Sequence, residues 1–318
     1  MSTWPELCRP NAARLIITIN CNYQCQMCTF WKERHEDPSL ETIKHWIREL
    51  ADFGIKEIDI GGGEPLLRKD LPEIVKEVKA NGMRCGMTTN GWLVSELPFP
   101  DIDFCEISLD GAKAETHDKI RGTKGAFDRA LKALEIARKK CPTHLNFTLQ
   151  SDNYLELLDF VELLKKLKVP GSIIPVSLKL AAQPKISDRL SDYNIPILEQ
   201  DLRKAMASGA LIDNQAFIET FLRKLKNGPE KQKCLSAHRC ILIFVNSDVY
   251  PCGNLDVPAG KLSLDKKMKD VWKEYRGLRK EIASGNHKFC HQCVYPDITT
   301  RATLRSAAFP YLKQIFKK

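Results

Sequence analysis

The sequence predicts an α/β fold in which a parallel sheet closes only part of a barrel. Short apolar segments alternate regularly with helical patterns from residue 14 to residue 182. Six strand–helix units follow one another in this way, and such alternation is typical of parallel sheets with helical crossovers. A closed TIM barrel has eight units. We therefore predict a partial (β/α)6 TIM-like barrel.

Hydrophobic periodicity assigns each element in turn. Apolar and β-branched stretches predict strands at residues 15–19, 55–60, 84–89, 104–109, 145–150 and 173–180. Ser39 is placed to cap the first helix, whose apolar residues recur every three or four positions, and Gly54 is placed to end it. The second helix covers residues 70–80, and later helical faces centre on Leu131 and Val161.

Composition divides the chain into four segments, residues 1–13, 14–182, 183–233 and 234–318. The first is an N-terminal extension and the second is the barrel core. The third has two helical patterns and ends in the basic stretch 224–233, which contains proline and glycine, so we interpret it as a helical linker. The fourth combines five cysteines with a hairpin pattern at 241–251, a helix at 268–282 and a terminal helix at 303–318.

Several classes of protein are disfavoured by composition. No apolar run approaches the ~20 residues of a membrane span, and the N-terminus lacks a signal-peptide pattern, so we expect a cytoplasmic protein. Its 12 cysteines therefore favour metal-binding thiolates over disulfides. The net charge of +9 is modest, and no zinc-finger or RNA-recognition signature is present, so no nucleic-acid partner is expected. Basic residues near the end leave weak contact with a membrane surface open.

Three cysteines lie close together directly after the first predicted strand. Cys21, Cys25 and Cys28 fall within eight residues, at a strand end where parallel α/β folds place their sites. Three thiolates can wrap one iron–sulfur cluster and leave one metal of a four-iron cluster without a protein ligand. Such an open position accepts a substrate or cofactor, whereas a zinc knot is the alternative reading of the same thiols.

Three further motifs follow the next strands in order. Gly61-Gly62-Gly63-Glu64-Pro65 follows the second strand, and glycines there allow the backbone to approach a ligand closely. A dinucleotide site is disfavoured because Leu66 stands at the third glycine position of its fingerprint. The third and fourth strands end in Thr89-Asn90-Gly91 and Ser108-Leu109-Asp110-Gly111.

These motifs, in this order, resemble the radical S-adenosylmethionine (SAM) superfamily over residues 14–180. The resemblance implies that Cys21, Cys25 and Cys28 bind a catalytic 4Fe–4S cluster whose free iron chelates SAM. An electron from that cluster would cleave SAM into methionine and a 5′-deoxyadenosyl radical, so an external donor such as flavodoxin or ferredoxin is implied. The resemblance also assigns SAM contacts to Met27, Gly62, Gly63, Glu64, Pro65, Asn90, Ser108 and Asp110.

The distal cysteines resemble the SPASM/twitch extension of this superfamily. A CxxC motif ends in Cys293, and Cys252 follows a Tyr-Pro pair at the end of the hairpin pattern. The resemblance assigns Cys234, Cys252, Cys290 and Cys293 to one auxiliary 4Fe–4S cluster. Cys240 competes with Cys234 for the first position, and a structural zinc site is the alternative. Because no cysteine follows Cys293, we expect a single cluster in a C-terminal twitch-like Fe–S domain.

The chemistry implied by the resemblance is hydrogen-atom abstraction from a C–H bond of the substrate. The auxiliary cluster would assist oxidation or relay electrons. A small polar substrate, sugar-like or phosphorylated, is favoured by the short chain without a peptide-recognition domain. A ribosomal peptide precursor is the alternative, because the segment 108–122 also resembles peptide maturases. A non-catalytic iron–sulfur protein is the alternative from another class.

Overall fold

The computed structural model describes residues 9–33, 36–176 and 193–288, except residues 214, 229, 232, 254 and 256, together with Cys290 and Cys293. Nine strands in this part of the chain form one sheet. In chain order they are β1 (Ala12–Thr18), β2 (Glu57–Gly62), β3 (Arg84–Thr89), β4 (Phe104–Ser108), β5 (Thr143–Leu149), β6 (Gly171–Pro175), β7 (Cys240–Ile243), β8 (Asp248–Tyr250) and β9 (Gly260–Lys261). Across the sheet the order is β6-β5-β4-β3-β2-β1-β7-β8-β9. Neighbours from β6 to β7 are parallel, and β7, β8 and β9 are antiparallel. The predicted parallel α/β architecture is confirmed.

The described helices connect these strands, and most of them bury apolar side chains in the main core. They are α1 (Leu40–Phe53), α2 (Leu71–Ala80), α3 (Ala114–Arg121), α4 (Ala126–Ala137), α5 (Leu157–Leu167), α6 (Ile195–Ala207), α7 (Gln215–Asn227), α8 (Ser236–Arg239), α9 (Met268–Glu274) and α10 (Arg276–Ser284).

All six predicted strands are present, and several of their ends are displaced. β2 begins at Glu57 because the backbone N–H groups of Gly54 and Ile55 both still donate hydrogen bonds to the carbonyl of Leu50 at the end of α1. The sixth strand starts earlier than predicted, at Gly171, and the predicted residues 177–180 lie outside the described residues.

The caps predicted for α1 are confirmed. The Ser39 side chain accepts a hydrogen bond from the backbone N–H of Thr42 at 3.1 Å. Gly54 takes the left-handed conformation, with φ of 103°, that ends many helices. The helix buries Trp46 and Leu50 in the main core.

The two faces of the sheet differ in polarity. On the outer face, Ile107 of β4 and Phe147 of β5 join the main core with the helices. Because side chains alternate along a strand, Glu106 and His144 lie on the inner face, where their side chains are 2.9 Å apart. Two ion pairs also lie on this face, Arg14–Asp59 at 3.5 Å and Arg84–Glu57 at 3.0 Å.

The crossover between β4 and β5 contains two helices, α3 and α4, where the sequence pattern predicted one. The predicted face around Leu131 belongs to α4, whereas α3 is mostly polar and buries His117, Ile120 and Arg121. The carboxylate of Asp118 joins the two helices by accepting backbone hydrogen bonds at the start of α4. Periodicity missed α3 because its buried face is largely polar.

The segment predicted as a linker packs into the main core. α6 buries Leu198 and Leu202, and α7 buries Phe221. The chain between them runs beside the edge strand β6, where Gly171 exchanges backbone hydrogen bonds with residues 210 and 212. The predicted linker therefore covers the edge of the sheet, and the basic stretch expected from residue 224 is helical as far as Asn227.

The C-terminal hairpin extends the barrel sheet. β7 pairs in parallel with β1, from Ala12 opposite Cys240 onwards. α9 packs on α1, where Trp272 lies against Phe53 with ring centroids 5.4 Å apart and the Glu49 carboxylate accepts the backbone N–H of Met268. The sheet and the core are thus continuous across the predicted boundary at residue 234.

No helix in the described part of the chain is long and apolar enough to cross a membrane. The terminal helix predicted at 303–318 and most of the extension predicted at 1–13 lie outside the described residues.

The N-cap of α1 gives a test of this fold. Ser39→Ala should lower the free energy of unfolding by about 1 kcal/mol, because the side-chain acceptor for Thr42 is lost. Ser39→Asp keeps an acceptor and should stay close to the parent protein. Urea unfolding followed by circular dichroism measures both. Equal losses in the two variants would contradict the cap.

Candidate active site

The cysteine loop follows β1 and is fixed to the crossover helices. The backbone N–H of Gln26 donates to the carbonyl of Ile120 in α3 at 2.9 Å. The indole N–H of Trp31 donates to the carbonyl of Cys25 at 3.1 Å. These bonds hold the loop at the carboxyl end of the sheet, as the sequence predicts.

The three thiols of this loop lie close enough for each charge to act on the others. Burial raises the pKa of Cys21 to about 12, and it also raises the pKa of Cys25 and of Cys28. Negative charge on any one of them raises the pKa of another, so the thiols resist ionising together. Metal binding removes this obstacle because cationic iron stabilises thiolates. The donor set therefore fits an iron–sulfur cluster.

A buried ion pair lies behind Cys25. The guanidinium of Arg121 is 2.6 Å from the carboxylate of Asp110, and both side chains are at least nine-tenths buried. Another nitrogen of Arg121 lies 3.9 Å from the Cys25 sulfur. The second oxygen of Asp110 accepts the backbone N–H of Thr148 in β5 at 2.8 Å. Asp110 is thus engaged inside the protein, which favours a positioning role over the direct SAM contact expected from the resemblance.

His117 completes this arrangement as a neutral group. Its Nδ1 accepts the backbone N–H of Asp110 at 2.9 Å. Burial, and after it the charge of Arg121, lowers the pKa of His117 to about 3. The imidazole therefore fixes the backbone after β4 without adding a second positive charge.

Glu64 joins the ends of β2 and β3. Its fully buried carboxylate accepts hydrogen bonds from the Thr89 hydroxyl at 2.8 Å and from the backbone N–H groups of Asn90 at 2.8 Å and Leu66 at 3.2 Å. Burial raises the pKa of Glu64 to about 7, and these hydrogen bonds oppose the shift. The carboxylate therefore stabilises the loops that follow β2 and β3.

The glycines before Glu64 are required by contact with β1. A Cβ on Gly62, whose φ is 138°, would lie 2.1 Å from the carbonyl oxygen of Thr18, and one on Gly63 would lie 2.1 Å from that of Asn20. The sequence interpretation attributed these glycines to a close ligand. The structure shows that close approach of the protein's own backbone already requires them.

Of the remaining predicted residues, Asn90 faces the cysteine loop and Met27 lies within it. Asn90 donates to the Asn22 side chain at 2.7 Å, and the same nitrogen lies 4.0 Å from the Cys21 sulfur. Met27 packs with the apolar group that contains Tyr23 and Cys25. Ser108, at the end of β4, is buried. Pro65, also predicted, is buried at the first position of a short 3-10 turn after Glu64.

Sequence reasoning missed the significance of Tyr23 and gave Arg121 only a motif position. The Tyr23 hydroxyl is buried and has no hydrogen-bond partner among the described residues. Such an orphaned group within the cysteine loop is consistent with a site that holds an additional molecule. The importance of Arg121 comes from its position beside Cys25 and Asp110. The sequence did not predict this position, because it depends on which loops lie together after folding.

Predicted auxiliary ligands are brought together in the C-terminal part. Cys234, Cys252 and Cys290 border one small apolar cluster around Ala237 and Ile282. Burial, and after it the neighbouring thiols of Cys293 and Cys252, raises the pKa of Cys290 to about 12. All four predicted ligands are thus near one another. The competing Cys240 begins β7, where its backbone pairs with Ala12 of β1.

Among the residues that the structure describes, no three Cys, His, Asp or Glu side chains are placed to hold one single metal ion. A single-ion site needs every ligand about 2.0–2.3 Å from one metal. A four-iron cluster instead bonds each thiolate to a separate iron.

The sequence was compared with family models. A model described as the Radical SAM superfamily matches residues 15–174. This match covers the strands and loops that carry the first cysteine group and Glu64.

Two proteins of Methanosarcina barkeri are similar to this chain. The chain is 28% identical to an AdoMet-dependent heme synthase in an alignment of 337 positions, gaps included, that covers 96% of this chain and 95% of that protein. It is 36% identical to an Fe-coproporphyrin III synthase in an alignment of 163 positions that covers 48% of this chain and 41% of that protein.

A solved structure shares the fold. Streptococcus suis SuiB bound to precursor peptide SuiA matches with a TM-score of 0.67 at 18% identity, over 90% of this chain and 71% of that one. The likeness supports the partial-barrel architecture.

The Arg121–Asp110 pair can be tested by a mutant cycle. Arg121→Met should lower the free energy of unfolding by about 3–5 kcal/mol, because a buried carboxylate loses its counter-ion. Asp110→Asn added to that variant should recover part of the loss. Lys165→Met, which breaks an exposed pair with Glu162, should cost less than about 1 kcal/mol. Urea unfolding of the metal-free proteins gives these values, and equal costs for the two single variants would contradict the assignment.

Proposed function

Because this chain belongs to the radical SAM superfamily, we propose that it is an enzyme that cleaves SAM reductively and abstracts a hydrogen atom from a polar substrate. The observation that carries this proposal is the set of three mutually interacting, desolvated thiols at the end of β1. Three protein ligands leave one position open in a four-iron cluster. When bound, that cluster supplies the electron that cleaves SAM into methionine and a 5′-deoxyadenosyl radical.

Cys21, Cys25 and Cys28 would hold the cluster, and the protein around them would orient SAM. The amino group of SAM is a donor and needs acceptors. Since the Glu64 carboxylate is already engaged, backbone carbonyl oxygens of residues 62–64 are the acceptors we propose there. Met27 would contact the adenine, as the resemblance implies, and Asn90 and Ser108 would face the polar part of SAM.

A polar substrate is supported by the inner face of the sheet. The Glu106 carboxylate accepts from the Thr88 hydroxyl at 3.4 Å and pairs with His144 at 2.9 Å. Nearer the carboxyl ends of the strands, the Ser172 hydroxyl donates to the Asn146 side chain at 2.9 Å. Hydrogen-bonding groups in this position suit hydroxyl-bearing or phosphorylated molecules, because a site built from buried polar groups rejects ligands that cannot pair with them.

An auxiliary 4Fe–4S cluster held by Cys234, Cys252, Cys290 and Cys293 is part of the same proposal. The assembly of these half-buried thiols supports it. The cluster would accept or relay an electron during substrate oxidation, and flavodoxin or ferredoxin would supply electrons to the enzyme.

A second candidate substrate is an iron porphyrin. It is favoured by the near-full-length similarity to a heme synthase. The inner face also has an aromatic group beside the cysteine loop, in which Phe244 packs against Phe30 and Tyr250 with centroids 6.1 and 5.2 Å apart. A peptide substrate is supported by the resemblance of segment 108–122 to peptide maturases and by the fold shared with SuiB.

Separate substitutions test the two cysteine groups. After anaerobic reconstitution with dithionite and SAM, Cys25→Ala should form no 5′-deoxyadenosine, because a ligand of the SAM-binding cluster is lost. Cys290→Ala should keep this cluster and lose about four iron atoms per chain. Cys141→Ala, which removes a buried packing thiol, is the matched control and should keep both properties.

The proposal fails if the parent protein, with its iron verified, releases no 5′-deoxyadenosine. Cys234→Ala and Cys240→Ala identify the first auxiliary ligand, since only replacement of the true ligand should lower the iron content.

Substrate class is tested by stimulation of 5′-deoxyadenosine formation. Small sugar phosphates, an iron porphyrin and short peptides are added in parallel. We expect the sugar phosphates to raise the rate in the parent protein and not in Glu106→Gln, whose basal SAM cleavage should be unchanged. Stimulation by the porphyrin alone, lost in Phe244→Ala, would establish the second candidate in its place.

A further inference from the structure

A buried lysine lies among the auxiliary cysteines. Lys224, in the last turn of α7, exposes only 2% of its surface. Its ammonium donates a hydrogen bond to the backbone carbonyl of Cys293. Its charge also acts on the thiols of Cys293, Cys234 and Cys290.

Lys224 has no carboxylate partner within ion-pair distance in the described part of the chain. Glu230 acts on it at longer range and is itself 2.7 Å from the guanidinium of Arg223. A buried ammonium without an opposite charge is unfavourable, because it has lost its hydration without compensation. A source of negative charge is therefore expected close to Lys224.

The four cysteines provide that charge when they bind iron. Protonated thiols carry no charge that could compensate the ammonium. As ligands they become thiolates. The lysine and the metal-loaded cysteines therefore compensate each other.

Building on the auxiliary cluster proposed above, we propose that Lys224 is the fixed counter-charge of this cluster and raises its reduction potential. Reduction adds one electron from the donor to the cluster and breaks no bond. A nearby positive charge stabilises the reduced form more than the oxidised form, because the attraction grows with the negative charge.

The surroundings of the first cysteine group differ in this respect. The charge of Arg121 near Cys25 is offset by Asp110 at 2.6 Å, whereas Lys224 lies beside the auxiliary cysteines with no carboxylate at ion-pair distance in the described part of the chain. This contrast makes the auxiliary cluster the better electron acceptor of the two, which is the direction that substrate oxidation requires.

The experiment uses the full-length chain with Cys21, Cys25 and Cys28 replaced by Ala, so that only the auxiliary cluster is reconstituted. Its midpoint potential is measured by a dithionite titration monitored by electron paramagnetic resonance. Lys224→Gln keeps a hydrogen-bond donor and removes the charge. We expect it to lower the equilibrium constant for reduction at least tenfold, a shift of about −59 mV, with unchanged iron content.

Two variants serve as controls. Lys224→Arg keeps the charge and should retain the parent potential. Lys226→Met removes an exposed charge from the same helix, where Lys226 pairs with Glu199, and should cause no shift. An unchanged potential in an iron-loaded Lys224→Gln protein would overturn the inference.

Iron content separates the remaining outcomes. Loss of the cluster in Lys224→Gln but not in Lys224→Arg supports the requirement for charge, and equal loss in both overturns it. If the background protein itself binds no iron, the auxiliary cluster proposed above is refuted, and the inference about Lys224 falls with it.

Discussion

Two buried carboxylates hold the strand ends in place, and the geometry of the cysteine loop depends on them. Glu64 ties the end of β2 to the loop after β3, and Asp110 ties the end of β4 to β5 and α3. A buried carboxylate is costly unless its hydrogen bonds are made, so displacing any partner carries a penalty. Glu64 and Asp110 thus bind other parts of the protein and stabilise its loops. The thiols and the backbone of the surrounding loops are the groups available to contact a cofactor.

Local pattern was sufficient to predict the six barrel strands and the caps of α1, because periodicity and capping depend on residues near in sequence. The placement of Cys21 and Glu64 at neighbouring strand ends followed from the rules of parallel sheets. The ion-pair and hydrogen-bond partners of buried polar side chains could not be predicted in the same way. That Asp110 pairs with Arg121, and that α3 exists at all, depend on which polar groups meet after folding. Lys224 shows the same limit, since its neighbours in sequence suggested a helical linker and gave no sign of burial beside the distal cysteines.

Charge distinguishes the two cysteine groups. Beside the first, the positive charge of Arg121 is offset by Asp110, and His117 is kept neutral by burial. Beside the second, Lys224 is buried, donates to the backbone carbonyl of Cys293 and acts on the neighbouring thiols. The same ligand chemistry is therefore placed in two electrostatic environments, and such differences are a principal means by which proteins tune iron–sulfur centres. The charge beside each cysteine group comes from a helix of the α/β fold, Arg121 in α3 and Lys224 in α7, and does not follow from the spacing of the cysteines.

The pairing of β1 with β7 also bears on how the chain folds. β1 lies far ahead of β7 in the chain, yet one of its two neighbours in the sheet begins at Cys240. Until that part of the chain is available, the apolar strand containing Leu15 and Ile17 has an open hydrogen-bonding edge, which is a site for pairing with other chains. Contacts between such distant residues also slow folding. Nascent chains truncated before β7 should therefore be prone to aggregation, and the C-terminal hairpin acts as the closing element of the barrel sheet.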